Sequence, residues 1–449
     1  MLFSGRDLRR LLIPLIIEQF LAVLVGMIDV VMVAEVGEAA VSGVSLVDAI
    51  NLLLIQLLAA MATGGAVVAG QLLGCKNTER ACHAANQLLL VTTVFSGGIM
   101  AFSLLGNKVI LGALFGKIEA DVMSNARLYF YITSLSFPFL AVYNSCAALY
   151  RVMGNSKVSM ETSLVMNGLN IAGNALGVYV LRAGVAGVAV PTLISRMAAA
   201  AIMLYIIRNE KNIIHVDRRL RLGYEPAMIR KILKIGIPSG MENGMFQFGK
   251  IMLQSLVSTM GTTAIAGYAV AGNMATLEYL PGTALGMGMV TVVSQCVGAK
   301  EFGQVKYYVK RLVLLNYGIL LGIVLVIGLI HKPVIGIYQL SPESAAVAAG
   351  LILFHGFAMS VWPLAFLLPH ALRAASDVTF TMVISVSSMW VFRIGMAYLL
   401  VRVFHASVMG VWIAMSIDWI FRAIVFTGRM LKGKWMRHGS QEQLKKREI

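Results

Sequence analysis

The chain carries one pattern twice. Laying Ile13-Pro14 on Ile237-Pro238 brings Glu18 onto Glu242 and, without a gap, Gly37 onto Gly261, Gly43 onto Gly267 and Gly64 onto Gly288. Gln71, Gly74 and Lys76 then meet Gln295, Gly298 and Lys300, and the register still pairs Lys108 with Lys332, Gly112 with Gly336 and Glu119 with Glu343. Farther on it slips slightly, with Arg151 on Arg373 and Gly187 on Gly410. A repeat of this length constrains the fold more than any short motif, because whatever one half forms the other forms as well.

The solvent of that fold follows from composition. Of 449 residues 58% are hydrophobic and 13% charged, with a mean hydropathy of +0.80. A soluble domain carries about 25% charged residues, so the chain reads as an all-α integral membrane protein. A formal charge of +16 would suit nucleic acid in a soluble protein. In a membrane protein it is expected in cytoplasmic loops, and no nucleic-acid partner is expected. Cys75, Cys82, Cys146 and Cys296 have neither metal-ligand spacing nor a secreted framework, and read as helix-packing thiols. Arg6, Arg9 and Arg10 precede an apolar run far longer than a signal sequence, so the first span is expected to be retained.

About twelve segments meet the length of roughly 20 apolar residues that crosses a bilayer. They are residues 11–35, 44–73, 83–113, 122–150, 158–181, 185–207, 230–258, 264–297, 306–330, 344–372, 379–403 and 407–430. Basic clusters at Arg6–Arg10, Lys76 with Arg80, Arg151 with Lys157, Arg208–Lys234, Lys300–Arg311 and Lys432–Arg447 mark alternate ends, while Glu35, Glu38, Glu119 and Asp121 mark the others. Both termini are therefore expected in the cytoplasm of a plasma (inner) membrane protein. Six spans per repeat give both halves the same orientation, hence two lobes related by a pseudo-twofold axis along the membrane normal. The expected division is an N-lobe at 1–208, a basic cytoplasmic linker at 209–226, a C-lobe at 227–431 and a basic cytoplasmic tail at 432–449.

An ionisable group inside a span costs several kcal/mol unless it finds a partner or water, so each one is a functional candidate. Glu18 and Asp29 lie on one face of the first span, about three turns apart. Glu18 recurs as Glu242, which favours a structural role in both halves, whereas Asp29 falls on Leu253. Asn167, Asn170 and Asn174 form a stripe on the fifth span, with Asn144 on the fourth and Thr192 on the sixth. Their second-half counterparts are apolar at Met389, Phe392 and Met396. Amides in membrane helices often only join helices. Four of them with a carboxylate, confined to one half, point instead to a polar pocket. The second half offers Glu242, Lys250, Glu278, Arg393 and Asp418. Arg393 with Asp418 reads as an interhelical ion pair, and whether Lys250 pairs with Glu278 stays open. The 27 methionines and 8% aromatic residues would suit an adaptable cavity lining.

These residues resemble the multidrug and toxic compound extrusion (MATE) family over nearly the whole chain, from Pro14 to about Arg422. The resemblance is carried by "GMIDVVMVAEVG", "ATGGAVVAGQLLGCKN", "YNSCAALYRVMGNSK", "NGLNIAGNALG", "GIPSGMENGMFQFGK" and "LPHALRAASDVTF". It implies twelve helices in two lobes and export of organic cations or drugs, coupled to inward flow of protons or sodium. Carried over residue by residue, Asp29 is similar to the family's cation-coupling carboxylate, with Asn144, Asn170 and Thr192 lining that site and Pro14 where the first helix bends. Asn174 departs from relatives that have a second carboxylate there. Trp362-Pro363 departs from sodium-coupled relatives with a tenth-helix aspartate, and Glu242 sits one turn from their seventh-helix glutamate. Both losses argue against a C-lobe sodium site or a two-carboxylate N-lobe site.

The mechanism this reading expects is an antiport by alternating access, with no cofactor beyond the coupling ion. A proton, or alternatively a sodium ion, neutralises Asp29 from outside, and its loss inside restores the hold on a cationic substrate. Carboxylate, amide and hydroxyl oxygens suit sodium as well. The secondary candidates are Glu18, Glu242, Glu278 and Lys250, and membrane lipid is the expected surrounding of a monomer. Two alternatives are set against it. A lipid-linked oligosaccharide flippase of the same superfamily needs a cationic cavity for pyrophosphate. A membrane-embedded enzyme needs paired carboxylates, a His cluster or a nucleophile motif, none of which the spans supply, since His83, His355 and His370 are scattered. Gly70 to Arg80 also lacks the acidic-basic loop pattern of major-facilitator transporters.

Overall fold

The computed structural model of the protein describes residues 1–116, 118–217 and 224–436, and every regular element among them is a helix. In chain order these are α1 (Gly5–Ala34), α2 (Glu38–Gly74), α3 (Thr78–Phe115), α4 (Ala120–Leu135), α5 (Phe137–Val152), α6 (Ser156–Ala175) and α7 (Ala186–Ile207). They are followed by α8 (Pro226–Ser258), α9 (Thr262–Gly298), α10 (Phe302–Ile337), α11 (Pro342–Ala358), α12 (Leu368–Ala374), α13 (Val378–Ser388), α14 (Met396–Arg402) and α15 (Met409–Leu431). Wider π-helical turns extend α6 at Leu176–Val180, lead into α12 at Pro363–Leu367 and join α13 to α14 at Met389–Gly395. This is a twelve-span, two-lobe helical membrane protein. Among the described residues eight helices are long and apolar enough to cross a bilayer, and two bent pairs raise the number to ten. The remaining two, α6 and α8, fall short because they carry the asparagine stripe and the Glu242 and Lys250 charges.

The sequence repeat reappears as repeated local geometry. Gly37 and Gly261 stand before α2 and α9 with φ of 124° and 94°, a region that only glycine enters without strain. Lys76 and Lys300, just past the ends of the same helices, both take positive φ (59° and 62°). Close packing repeats too. A Cβ on Gly43 would lie 2.9 Å from the Val122 carbonyl oxygen of α4, and one on Gly267 would lie 2.6 Å from Val347 of α11. The fourth span of each half, expected as one rod, is broken: α4 and α5 meet at 46°, and α11 and α12 at 64°. Pro138 and Pro363 lie at these breaks and lack the N–H a continuous helix would use. Leu105 and its counterpart Leu329 point outward, 89% and 82% exposed, which is the arrangement hydrocarbon solvent requires.

Contacts divide the chain into two compact units, Phe3–Gly240 and Met241–Ile449 with Met1–Leu2. The boundary falls inside α8. Its first turns stay with the first unit because Gly64 admits the α8 backbone: a Cβ there would lie 2.7 Å from the Ile232 carbonyl oxygen and 2.8 Å from Gly236 N. The described start of the expected linker also folds back on that unit. Ile214 and Val216 are buried, and the Val216 N–H donates to the Ile207 carbonyl at 3.2 Å. Residues 218–223 of the linker and 437–449 of the tail lie outside the described residues. The first unit packs Val33, Val44, Val47, Tyr129, Phe130 and Val188 into one core cluster. In the second, Leu253, Met274, Ile352, Trp362, Trp412 and Trp419 do the same.

Candidate functional site

The first lobe's polar site is assembled by α1 and α6. Pro14 lies within an unbroken α1, where its missing N–H frees the Arg10 carbonyl. The Ser156 hydroxyl, opening α6, sits 3.2 Å from that carbonyl oxygen and 2.5 Å from that of Leu11. The contact pins α6 to α1 and so sets the register of two later groups, Asp29 on α1 and the asparagine stripe on α6.

Asn174, fully buried, donates its Nδ2 to Asp29 Oδ1 at 2.8 Å. The Asn170 amide is satisfied in one orientation. Its nitrogen donates to Asp29 Oδ1 at 3.0 Å and Oδ2 at 3.3 Å, and its oxygen accepts from Thr192 Oγ1 at 3.0 Å. Thr192 Oγ1 also lies 2.9 Å from the Val188 carbonyl oxygen.

Asp29, Asn170 and Thr192 border a cavity of about 250 Å³, whose polar wall also includes Ser45, Asp48, Tyr129 and Arg196. Asp48 of α2 is faced by Tyr129 and Asn51, and Arg196 of α7 acts on both carboxylates. The Arg196 guanidinium is held at the α4–α5 break, where its Nη1 donates to Ser136 Oγ at 2.7 Å. Two carboxylates against one guanidinium leave the cavity acidic. This corrects the expectation drawn from Asn174: the first lobe does hold two carboxylates, but the second comes from α2. Asp48 and Arg196 both sit within apolar runs, so the reasoning that singles out Asp29 applies to them equally. Asn167 borders the cavity, with its Nδ2 3.5 Å from Ser163 Oγ. Asn144 is half-buried on α5 and does not border it.

The repeated glutamates make structural contacts. Glu18 accepts from Ser159 Oγ at 3.0 Å and faces the Tyr143 hydroxyl at 3.4 Å, while Arg151 Nη1 reaches the same Ser159 Oγ at 3.5 Å. Its counterpart Glu242 accepts directly from Arg373 Nη1 at 3.0 Å, and Arg373 is the counterpart of Arg151. Glu278 pairs with His355 Nδ1 at 2.5 Å rather than with Lys250, settling the choice the sequence left open. The Arg393–Asp418 pair exists but is long, at 3.8 Å. Asp418 is held more tightly by Arg422 Nε at 2.8 Å and Ser388 Oγ at 2.6 Å. The π-helical turn at Met389–Gly395 carries Arg393, as such turns often do at functional sites.

Comparisons with known proteins agree with this architecture. The MatE family model matches residues 14–176 and 238–399, one block in each half of the repeat. The chain is 25% identical to a probable multidrug resistance protein NorM of Thermotoga maritima, over 96% of this chain and 93% of that one. It is 26% identical to the uncharacterized transporter YisQ of Bacillus subtilis, over 95% of this chain and 94% of that one. A solved structure described as the outward-facing conformation of a multidrug resistance MATE family transporter of the MOP superfamily aligns with a TM-score of 0.88. It has 19% identity, covering 95% of this chain and 96% of that one.

Proposed function

The chain belongs to the MatE family of membrane transporters, and on that premise we propose that it is a secondary active antiporter exporting organic cations or drugs by alternating access in exchange for protons or sodium. The observation that carries this reading is the Asp29 carboxylate on a cavity wall, with the Asn174 and Asn170 amides both donating to it.

When Asp29 is ionised, the Asn174 and Asn170 nitrogens both donate to it. A proton on the carboxylate neutralises it, and a sodium ion held by its oxygens would do the same. Neutralising Asp29 takes from the cavity the charge that attracts a cationic substrate. Asp48 supplies the residual negative charge, and Arg196 limits it. Since each ligand removes what the other needs, their coupling is reciprocal. The protein works as a monomer in the plasma membrane with both termini in the cytoplasm, and uses no cofactor besides the coupling ion.

The test is efflux of a fluorescent organic cation from proteoliposomes driven separately by a pH gradient and a sodium gradient. At least one gradient is expected to drive wild-type export and neither to drive export by Asp29→Asn. A folded Asp29→Asn protein that pumps at the wild-type rate overturns the coupling role, and drive by the pH gradient with sodium rigorously absent selects the proton.

A further inference from the structure

The second lobe encloses a different cavity, of about 370 Å³, within the usual range of about 300–1,000 Å³ for ligand pockets. Its walls are aromatic. Trp362 stacks between Tyr279 and Phe366, with centroids 6.3 Å and 5.2 Å away, and Trp419 sets its edge against Phe366 at 5.7 Å.

The uncompensated charge here is positive. Of the two carboxylates packed around the cavity, Glu278 is held by His355 and Asp418 by Arg422. Lys250 makes no ion pair among the described residues, and its Nζ lies 5.1 Å from the Phe246 ring centre. The Arg393 guanidinium lies 5.2 Å from the same ring centre. Arg393 is 7% exposed, and its Nε and Nη1 have no hydrogen-bond partner; the Nε1 of Trp419, 3% exposed, has none either. Lys250, Arg393 and Trp419 all border the cavity. The wall of an aromatic pocket thus presents N–H donors, three of them buried and without a hydrogen-bond partner, a setting an acceptor-rich anion would satisfy. Asp418 Oδ2 stands 3.8 Å from Arg393 Nη1, so Lys250 is the cation here with no carboxylate against it among the described residues.

We propose that this second-lobe cavity binds an aromatic anion, its rings against Trp362 and Phe366 and its carboxylate or sulfonate at Lys250, Arg393 and the Trp419 indole. The site is independent of Asp29. It would give the transporter a second class of ligand beside the organic cations of the acidic first-lobe cavity.

The test is equilibrium binding of 1-naphthoate to the full-length protein in nanodiscs of zwitterionic lipid, with 1-naphthylmethylammonium and 1-naphthylmethanol as probes of the same ring and different charge. Saturable binding of naphthoate is expected, about tenfold tighter than either control. Lys250→Met, a change at an exposed side chain, is expected to weaken naphthoate about fivefold or more, and Lys250→Glu to make the ammonium probe the preferred one. Asp29→Asn is expected to leave the order of the three probes unchanged. Equal binding of all three, an unaltered preference in Lys250→Glu, or a preference abolished by Asp29→Asn each overturns the proposal. So does displacement of naphthoate by anionic lipid at trace amounts, which would make the cavity a lipid site.

Discussion

Three repeat positions show how the two lobes diverge. Asp29 borders the first cavity, and its counterpart Leu253 borders the second; Asp48 borders the first, and Gly272 the second. The third runs the other way, with Gly26 in the first cavity and Lys250 in the second. At these three places one lobe gains two negative charges and the other one positive charge, on backbone that repeats in register. The features that do not diverge are those the backbone demands: the left-handed glycines Gly37 and Gly261 and the contact glycines Gly43 and Gly267. A residue required by φ or by a close helix approach tolerates no substitute. A cavity wall constrains little beyond volume, so the duplicated pockets could part in sign while the scaffold stayed the same.

The comparison is broken most sharply by replacing an acid with its amide in each lobe. Asp29→Asn is expected to reduce gradient-driven efflux to the level of empty liposomes while leaving the melting temperature of the purified protein within a degree or two, if Asp29 is the proposed ligand for the coupling ion and not a keystone of packing. Asp418→Asn is expected to do the reverse. It strips Arg422 and Arg393 of their counter-charge at a fully buried site, so thermal or denaturant unfolding in detergent should show a loss of about 3–5 kcal/mol. Efflux per folded molecule should persist. If both variants fail in the same way, the division between a working carboxylate and a structural one is wrong.

The amide stripe gives a smaller effect of the same kind. Asn170→Leu or Asn174→Leu removes a hydrogen bond to a charged group, worth about 1.5–3 kcal/mol, so transport should fall about tenfold or more. Met396→Leu, at the counterpart of Asn174, should change it less than about twofold. Initial efflux rates normalised to folded protein decide this, and equal losses would make the stripe packing material. The smallest effect concerns the Pro14 turn. The second half has Val378 where the first has Ser156. Ser156→Val should therefore cost only about 1 kcal/mol of stability, the worth of one neutral hydrogen bond, measured as a small drop in melting temperature. A larger loss would show that the contact is worth more than one neutral hydrogen bond.

Much of the fold was legible in the chain. Composition, span length and the repeat each depend on local or periodic properties, so helices, lobes and the shared geometry of α2 and α9 could be read before any coordinates. The partnership of Asp29 with Asn170, Asn174 and Thr192 was legible for a related reason, since polar residues inside apolar helices have few places to go. The breaks at Ser136 and before Pro363 were not, because a proline inside a helix marks where a bend is permitted without setting its angle.

Pair choice lay beyond the sequence altogether. Glu278 had Lys250 as a candidate and took His355; Asp418 had Arg393 and was bound more closely by Arg422. Asp48 and Arg196 joined Asp29 although they come from α2 and α7, and Asn144 stayed outside the cavity although it shares the first lobe. Periodicity tells which face of a helix a side chain occupies. The rotation and depth at which that face meets its neighbours is fixed by close contacts such as Gly43 on α4 and Ser156 on α1, and a turn of a few tens of degrees is enough to exchange one ionic partner for another. The chain by itself determined how many spans there are, what solvent they face and which lobe carries the acid. Only the tertiary packing decided which charges meet, and so which cavity became acidic and which was left basic.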